Sequence, residues 1–237
     1  MRELTRVETI ERSLMKRFRK ELWNPFTAAV KRYGMLRAGD RVGVVLDGRV
    51  SSALIAKLLQ ELHRHSDVPF ELCFFAPAEG IKPLSERLGL DLLPDTDPAL
   101  RVCTVLALPG CMEDVVREGM LNLLHRGRLA TLLPAGEQGG QAVIRPLYCA
   151  SAHDIAAWAR YNALSLVPDP IGDEAHQQME DLLRSRAAIN PDLYKSVFRA
   201  LHSLNTDTMP GLTAHGRVLD FDECYALLAQ GGKPETV

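Results

Sequence analysis

The sequence predicts an α/β fold: a parallel sheet with helices on both faces, carrying helical additions at its N-terminal and C-terminal ends. Three observations predict it. Apolar runs recur at 42–46, 70–75, 102–108 and 142–147, the continuous kind expected of strands buried on both faces. Each run is followed by a stretch with helical spacing, and strand-then-helix repetition is the signature of parallel pairing. Charged, helical segments without strand character lie on either side, before residue 38 and from residue 169 onward. With 237 residues, 46% of them hydrophobic, the chain can build one substantial core with appendages. The expected division is basic N-terminal helices over 1–37, an α/β domain over 38–165, and a helical C-terminal extension and tail over 166–237.

Leu4, Val7, Ile10, Leu14, Phe18 and Leu22 fall at three- and four-residue steps, which predicts an amphipathic helix with a basic outer face. Asn24-Pro25 reads as the N-cap and first residue of a second helix running toward Leu36. A turn over 37–40 feeds the strand 42–46, and a helix over 51–63 follows the glycine turn at Gly48. The strand 70–75 is closed by Ala76-Pro77, with a short helix over 83–88 and a further strand over 90–93. Only eight residues separate Leu93 from Val102, fewer than the ten or so of a helical crossover. Either a connecting piece is missing or 90–93 does not lie beside 102–108. A helix over 113–124 follows, then the strand 142–147 and a helix over 151–161 started by Ser151 and Asp154. Helices are expected over 174–186 and from Asn190-Pro191 to Leu204, and a tail from Met209 with a short helix over 221–228.

The 28 Lys and Arg against 30 Asp and Glu give a net charge of −2, so the chain as a whole has no bias toward nucleic acid. The distribution is uneven. Residues 1–37 hold ten basic and four acidic side chains, so a polyanion would meet this end first. Arg12, Lys16, Arg17, Arg19, Lys20, Lys31 and Arg32 are the candidate contacts, through phosphate and without sequence preference. No run of about 18 apolar residues is present, and the start of the chain is charged rather than signal-like. A cytoplasmic protein with no membrane partner is expected. Cys73, Cys103, Cys111, Cys149 and Cys224 are scattered and form no CxxC, which suits a reducing compartment. No metal site is expected from them; Cys149 with His153 is two ligands at most. Cys111 stands before a helix, where a thiol pKa can fall, or it simply fills space.

Three segments in order carry a resemblance. The first is KRYGMLRAGDRVGVVL followed by DGRVSS at 47–52. The second is PGCMED at 109–114, followed by Arg117-Glu118, LNL at 121–123, Arg126-Gly127 and Pro134. The third is Ile144-Arg145-Pro146-Leu147 followed by Asp154-Ile155, and NPDLYKSVFRALHSLNTDTM closes the series. From about residue 15 to about residue 209 the chain resembles the PP-loop ATP pyrophosphatases, on the branch of the TtcA-like tRNA 2-thiocytidine synthetases. The resemblance implies a Rossmann-like sheet of the adenine nucleotide alpha hydrolase kind. It implies ATP or AMP with Mg as ligand and tRNA or another RNA as partner. The implied nucleotide-binding residues are Leu46, Asp47, Gly48, Arg49, Ser51, Ser52, Phe75, Ala107 and Arg145.

The departures bear on function. Where the family loop reads SGGKDS, only Gly48 and Ser52 match; Asp47 replaces the first hydroxyl, Arg49 a glycine, and Val50 and Ser51 the lysine and aspartate. A carboxylate about 4 Å from a phosphate costs roughly 1–4 kcal/mol, whereas Arg49 is itself a good phosphate ligand. Two readings stay open: a working nucleotide site, or a helix start capped by Asp47 or Ser51 so that a side chain holds the place of the phosphate. Glu113 and Asp114 follow the family's acidic pair. The family's CxxC is replaced by the short loop 95–101, and Val167-Pro168-Asp169-Pro170 stands where later cysteines would lie, so no iron–sulfur cluster is expected. The expected function is a non-catalytic or weakly catalytic nucleotide- or tRNA-associated protein. The alternatives are an active ATP-dependent adenylating enzyme acting in tRNA modification without an iron–sulfur cluster, and an inactive structural subunit paired with an intact homologue; as partners, a homodimer or a heterodimer with such a homologue is expected.

Overall fold

The computed structural model describes residues 4–77, 81–94 and 96–203, and the backbone of 212–214 and 217–219. Cys224, the tail from Met209 outside those two stretches, and the helix expected over 221–228 lie outside the described residues. The chain divides into two compact units, Met1–Tyr194 and Lys195–Val237. The second contains a short antiparallel pair that the sequence did not announce, Leu212–Ala214 against Arg217–Leu219.

In the first unit, six strands form one sheet: β1 (Arg41–Val45), β2 (Glu71–Ala76), β3 (Leu92–Pro94), β4 (Val105–Ala107), β5 (Ala135–Gln138) and β6 (Gln141–Ile144). Their order is β3-β2-β1-β4-β6-β5. All neighbours are parallel except the β5–β6 hairpin. The α/β class is therefore as the sequence predicts. β4 has three residues and not seven, and β5 carries no apolar run to announce it; its turn is made by Gly139 and Gly140 at φ 60° and 80°. The short stretch after β3 is explained by the order. β3 lies beside β2, at the edge, and β4 lies on the far side of β1. No crossover between adjacent strands is needed there, and the link holds only the one-turn helix α5 (Pro98–Arg101), capped by Asp97 accepting from the Ala99 N–H at 2.8 Å. The helices are numbered in chain order.

Helices α3 (Val50–His65) and α4 (Lys82–Leu88) connect strands that step outward from β1 in one direction. Helix α6 (Met112–Arg126) starts a connection stepping the other way. Right-handed crossovers in opposite directions put α3 and α6 on opposite faces of the sheet. Helix α7 (Ala152–Tyr161) packs on α3, and α8 (Glu174–Ala187) packs on α6. The reversal falls between β1 and β4, and a crevice at the carboxyl ends of those strands is where open α/β sheets bind ligands.

The N-terminal segment differs from its expected form. Helix α1 (Arg6–Arg12), held by a Thr5–Glu8 capping box, runs into two π turns, Ser13–Arg17 and Arg19–Trp23, and then into α2 (Asn24–Arg32). Asn24 caps nothing, because Trp23 before it is already helical at φ −62° and ψ −48°. The physical reason lies in the spacing of Ile10, Leu14, Phe18, Leu22 and Phe26, all buried. Residues four apart precess by about 40° per step along an α-helix. Wider turns, bonded from Phe18 N–H to Ser13 O at 2.8 Å and from Trp23 N–H to Phe18 O at 3.3 Å, keep the stripe on the core.

This segment is pinned to the sheet domain by a buried charge. Lys57 of α3 has no exposed surface, and its Nζ donates to Glu11 Oε1 at 2.9 Å, to the Leu88 carbonyl at 2.8 Å, and to Gln60. Burial lowers the Lys57 pKa against the opposing pull of Glu11 and Glu61. One ammonium thus ties α1, α3 and the end of α4. Lys57→Ala leaves the Leu88 carbonyl without its donor and Glu11 with only Arg64. It is expected to reduce the unfolding free energy by about 3 kcal/mol or more, read as a lower urea midpoint at unchanged m.

Candidate functional site

β1 continues by one bond, Leu46 N–H to Phe75 O at 2.7 Å, and then turns at Gly48, whose φ of 81° suits glycine. Helix α3 starts immediately after, so its first N–H groups face the crevice. In this structure the Val50 N–H meets a carbonyl and the Ser51 N–H a carboxylate. Asp47 Oδ1 accepts from the Arg49 N–H at 3.1 Å and from Ser52 Oγ at 2.6 Å, and its Oδ2 lies 3.4 Å from the Arg49 guanidinium. Asp169 Oδ2 accepts from the Ser51 N–H at 3.1 Å and from Ser51 Oγ at 2.8 Å. The segment bearing Asp169 lies along the loop: Val50 N–H donates to Val167 O at 3.1 Å and Val167 N–H to Gly48 O at 3.0 Å. Asp47 thus bonds the residue that precedes α3, and Asp169, from a distant segment, bonds the second residue of the helix.

Asp169 is strained electrostatically. Burial raises its pKa, the Ser51 bonds oppose the shift, and Asp114 and Asp47 add to it; its Oδ1 is buried without a hydrogen-bond partner. Two adjoining clefts of about 300 Å³ each open from this point, one toward α7 and one toward Pro109, Leu132 and His176. Arg117 of α6 lines both, paired with Asp114 and, at 2.9 Å, with Glu180 of α8, which also binds Arg184 at 2.8 Å. Burial opposes the Arg117 charge, and the two carboxylates outweigh it. Across the cleft, Cys111 N–H donates to Asp114 Oδ2 at 2.9 Å. Glu113 accepts from the Ala152 N–H at the start of α7, at 2.8 Å. The Cys111 thiol is pushed well up by burial, with Asp114 and Glu113 adding, so its helix-start position does not activate it. Arg145 donates to the Leu133 carbonyl at 2.8 Å, has no carboxylate partner among the described residues, and lies against Gly110, where a Cβ would stand 2.7 Å from its Cδ.

The expected nucleotide residues are thus divided. Asp47, Gly48, Arg49, Ser51 and Ser52 form the loop, with Arg49 and Ser51 facing the clefts. Leu46 and Phe75 are fully buried and Ala107 is 6% exposed, so these three support the loop from the core. Glu180 was not singled out from sequence, and Arg117 and Asp169 were named there only as motif positions, without a role at this site. The signal available for Asp169 was its setting between two prolines, which take N–H groups out of a segment and leave the carboxylate to make its bonds. The seven basic candidates are all exposed on α1, its π turns and α2, and none makes an ion pair among the described residues. Arg17 lies 4.9 Å from the ring centre of Tyr161, which is 55% exposed and packs edge-on against Phe18.

The sign of the Asp169 effect on stability follows from its raised pKa. The folded state holds the proton more tightly than the unfolded state, whose carboxyl lies near 3.8. The stabilising contribution is complete below that value and is lost as pH rises through the folded pKa. Asp169→Asn keeps an oxygen for Ser51 and removes the charge beside Asp47 and Asp114. It is expected to raise Tm at pH 7.5, with a gain that shrinks toward pH 4 in differential scanning calorimetry.

No family model matches the chain. It is 26% identical over 94% of its length to the tRNA-cytidine(32) 2-sulfurtransferase of Chromohalobacter salexigens, covering 92% of that protein. It is 26% identical over 93% of its length to the enzyme of the same name from Xanthomonas euvesicatoria, covering 85% of it. Among solved structures, the U34-tRNA thiolase NcsA from Methanococcus maripaludis with its [4Fe-4S] cluster matches at a TM-score of 0.56 and 17% identity, over 76% of this chain and 77% of that one. That cluster overturns the expectation, drawn from the short 95–101 loop, that no iron–sulfur cluster accompanies this chain: a solved protein of this fold holds one. Among the described residues no three His, Cys, Asp or Glu stand together as metal ligands. The described residues therefore do not fit a cluster by themselves. Likewise, no helix among the described residues is long and apolar enough to cross a membrane. Likeness in sequence along most of the chain and likeness in fold agree: this chain is similar to the tRNA-cytidine(32) 2-sulfurtransferases and shares the fold of the U34-tRNA thiolase NcsA.

Proposed function

We propose that this chain is a tRNA-binding protein of the sulfurtransferase kind whose phosphate cradle is held by its own carboxylates, which makes it non-catalytic or weakly catalytic toward nucleotides. The observation that carries the reading is the bond from the Ser51 N–H to Asp169, with Asp47 on the neighbouring donors. The Ser51 amide of α3 and the Arg49 amide just before it both bond carboxylates, the Val50 amide between them bonds the Val167 carbonyl, and a third carboxylate, Asp114, lies close by. The tRNA part is supported by the seven exposed cations of the N-terminal segment and by the family relation. Tyr161 beneath Arg17 offers a flat aromatic surface of the sort on which unpaired bases stack. In this reading residues 1–37 engage RNA, 38–165 form the scaffold, 166–237 are a C-terminal extension and tail, and the setting is the cytoplasm.

An ATP-dependent adenylating enzyme is the second reading, favoured by Arg49 and by Arg145, a half-buried cation without a carboxylate partner among the described residues. The two readings part in calorimetry with ATP and AMP, with and without Mg. The carboxylate-held cradle predicts binding no tighter than about millimolar, roughly −4 kcal/mol. Release of AMP and pyrophosphate that disappears in Gly48→Trp would establish the enzyme instead. A subunit role beside an intact homologue predicts a stable complex of the two in sedimentation velocity.

For tRNA, a variant carrying Lys16→Ala, Arg17→Ala and Lys20→Ala is expected to lower the slope of log affinity against log salt by about 2. Tyr161→Ala is expected to weaken binding by about tenfold with the slope unchanged. Fluorescence anisotropy over a salt series reads both, and equal slopes for the triple variant and the parent would refute phosphate contact by this face.

A further inference from the structure

We infer that residues 166–171 are an autoinhibitory strap, which closes the cradle by presenting Asp169 as an internal anion and which a phosphoryl anion displaces. The inference rests on the reading of the loop as a phosphate cradle and adds how that site is regulated.

The strap leaves α7 through Ala163, a non-glycine residue at φ 46°, and Leu164 anchors its start at 9% exposure. Beyond Leu164 it is held to the loop lightly. Val167 is 63% exposed, and Pro168 and Pro170 have no N–H to give. Adhesion to the loop comes from the two backbone bonds between Val167 and Gly48–Val50 and the two bonds of Asp169 to Ser51. At the far end Gly172, at φ 113°, returns the chain to α8, and a Cβ there would stand 2.9 Å from His176. The strap is therefore a short extended piece between two fixed points, with one carboxylate at its middle.

The closed arrangement carries its own opposition. Asp169 is held near Asp47 and Asp114, and its Oδ1 is buried without a partner. Opening relieves both and bares the Ser51 N–H and hydroxyl beside the Arg49 side chain, which is 43% exposed. A phosphoryl group needs those same donors. Strap and anion are consequently exclusive, so the anion binds only the open form and its apparent affinity falls in proportion to the fraction of molecules that are open.

The test uses the full chain and inorganic pyrophosphate. Calorimetry is expected to give about tenfold or more tighter binding in Asp169→Ala than in the parent. Asp169→Asn, which keeps an acceptor for Ser51 and is the safer variant for folding, is expected to show a smaller gain. Hydrogen exchange at the Val50 and Val167 amides is expected to be faster in Asp169→Ala, and faster in the parent once pyrophosphate is added. Tighter binding with unchanged exchange at Val167 would overturn the strap, leaving only charge repulsion. Unchanged affinity in both variants would overturn it as well, and if exchange at Val167 has meanwhile risen, the cradle reading falls with it. Anisotropy with tRNA on the same variants is expected to match the parent; a parent that binds no tRNA would refute the proposed function while leaving the pyrophosphate and exchange results to judge the strap.

Discussion

The bond from the Ser51 amide to the Asp169 carboxylate joins residues 118 positions apart at the one place where the sheet changes its winding direction. A helix N-terminus attracts negative charge, and the crevice between β1 and β4 aims that attraction at a ligand position. Here the charge comes from the chain. With Asp169 seated, Val167 lies alongside Gly48, and Arg117 balances Asp114 and Glu180.

The surroundings follow from that balance. Four carboxylates, Glu113, Asp114, Asp169 and Glu180, border the cleft toward α7 against two guanidinium groups, Arg117 and Arg184. Burial raises Glu113 as it raises Asp169. The cleft thus carries more carboxylates than guanidinium groups, whereas the outer face of α1 and α2 gathers cations that form no ion pair among the described residues. The molecule separates a guarded interior crevice from an open basic surface, which is the distribution expected if RNA is held at one place and small anions are admitted sparingly at another.

Much of this was legible in the sequence. Continuous apolar runs announced β1, β2 and β6, and collinear motif fragments gave the family relation although no single motif was intact. A role for Asp47 at the start of α3 was readable because it stands two residues before the residue that leads into the helix. Asp169 was not, since nothing local links residue 169 to residue 51; only the tertiary path of the strap does. The π turns were hidden for a different reason: a four-residue spacing of Ile10, Leu14, Phe18, Leu22 and Phe26 is compatible with helix, and only the need to keep all five on one core widens the turns. Strand β5 escaped notice because Ala135–Gln138 is an edge strand with little buried surface. The iron–sulfur expectation failed because it argued from a missing motif, and a missing motif in one loop says little about a fold in which a solved protein carries a [4Fe-4S] cluster.

The most direct measurement of the account is an NMR titration following the Asp169 side-chain carboxyl carbon together with the Ser51 backbone amide. The account predicts a carboxyl pKa above the ordinary value near 3.8, and a Ser51 amide shift that titrates with the same midpoint and stops titrating in Asp169→Asn. A Ser51 amide indifferent to pH over that range, with Asp169 titrating at its ordinary value, would contradict it.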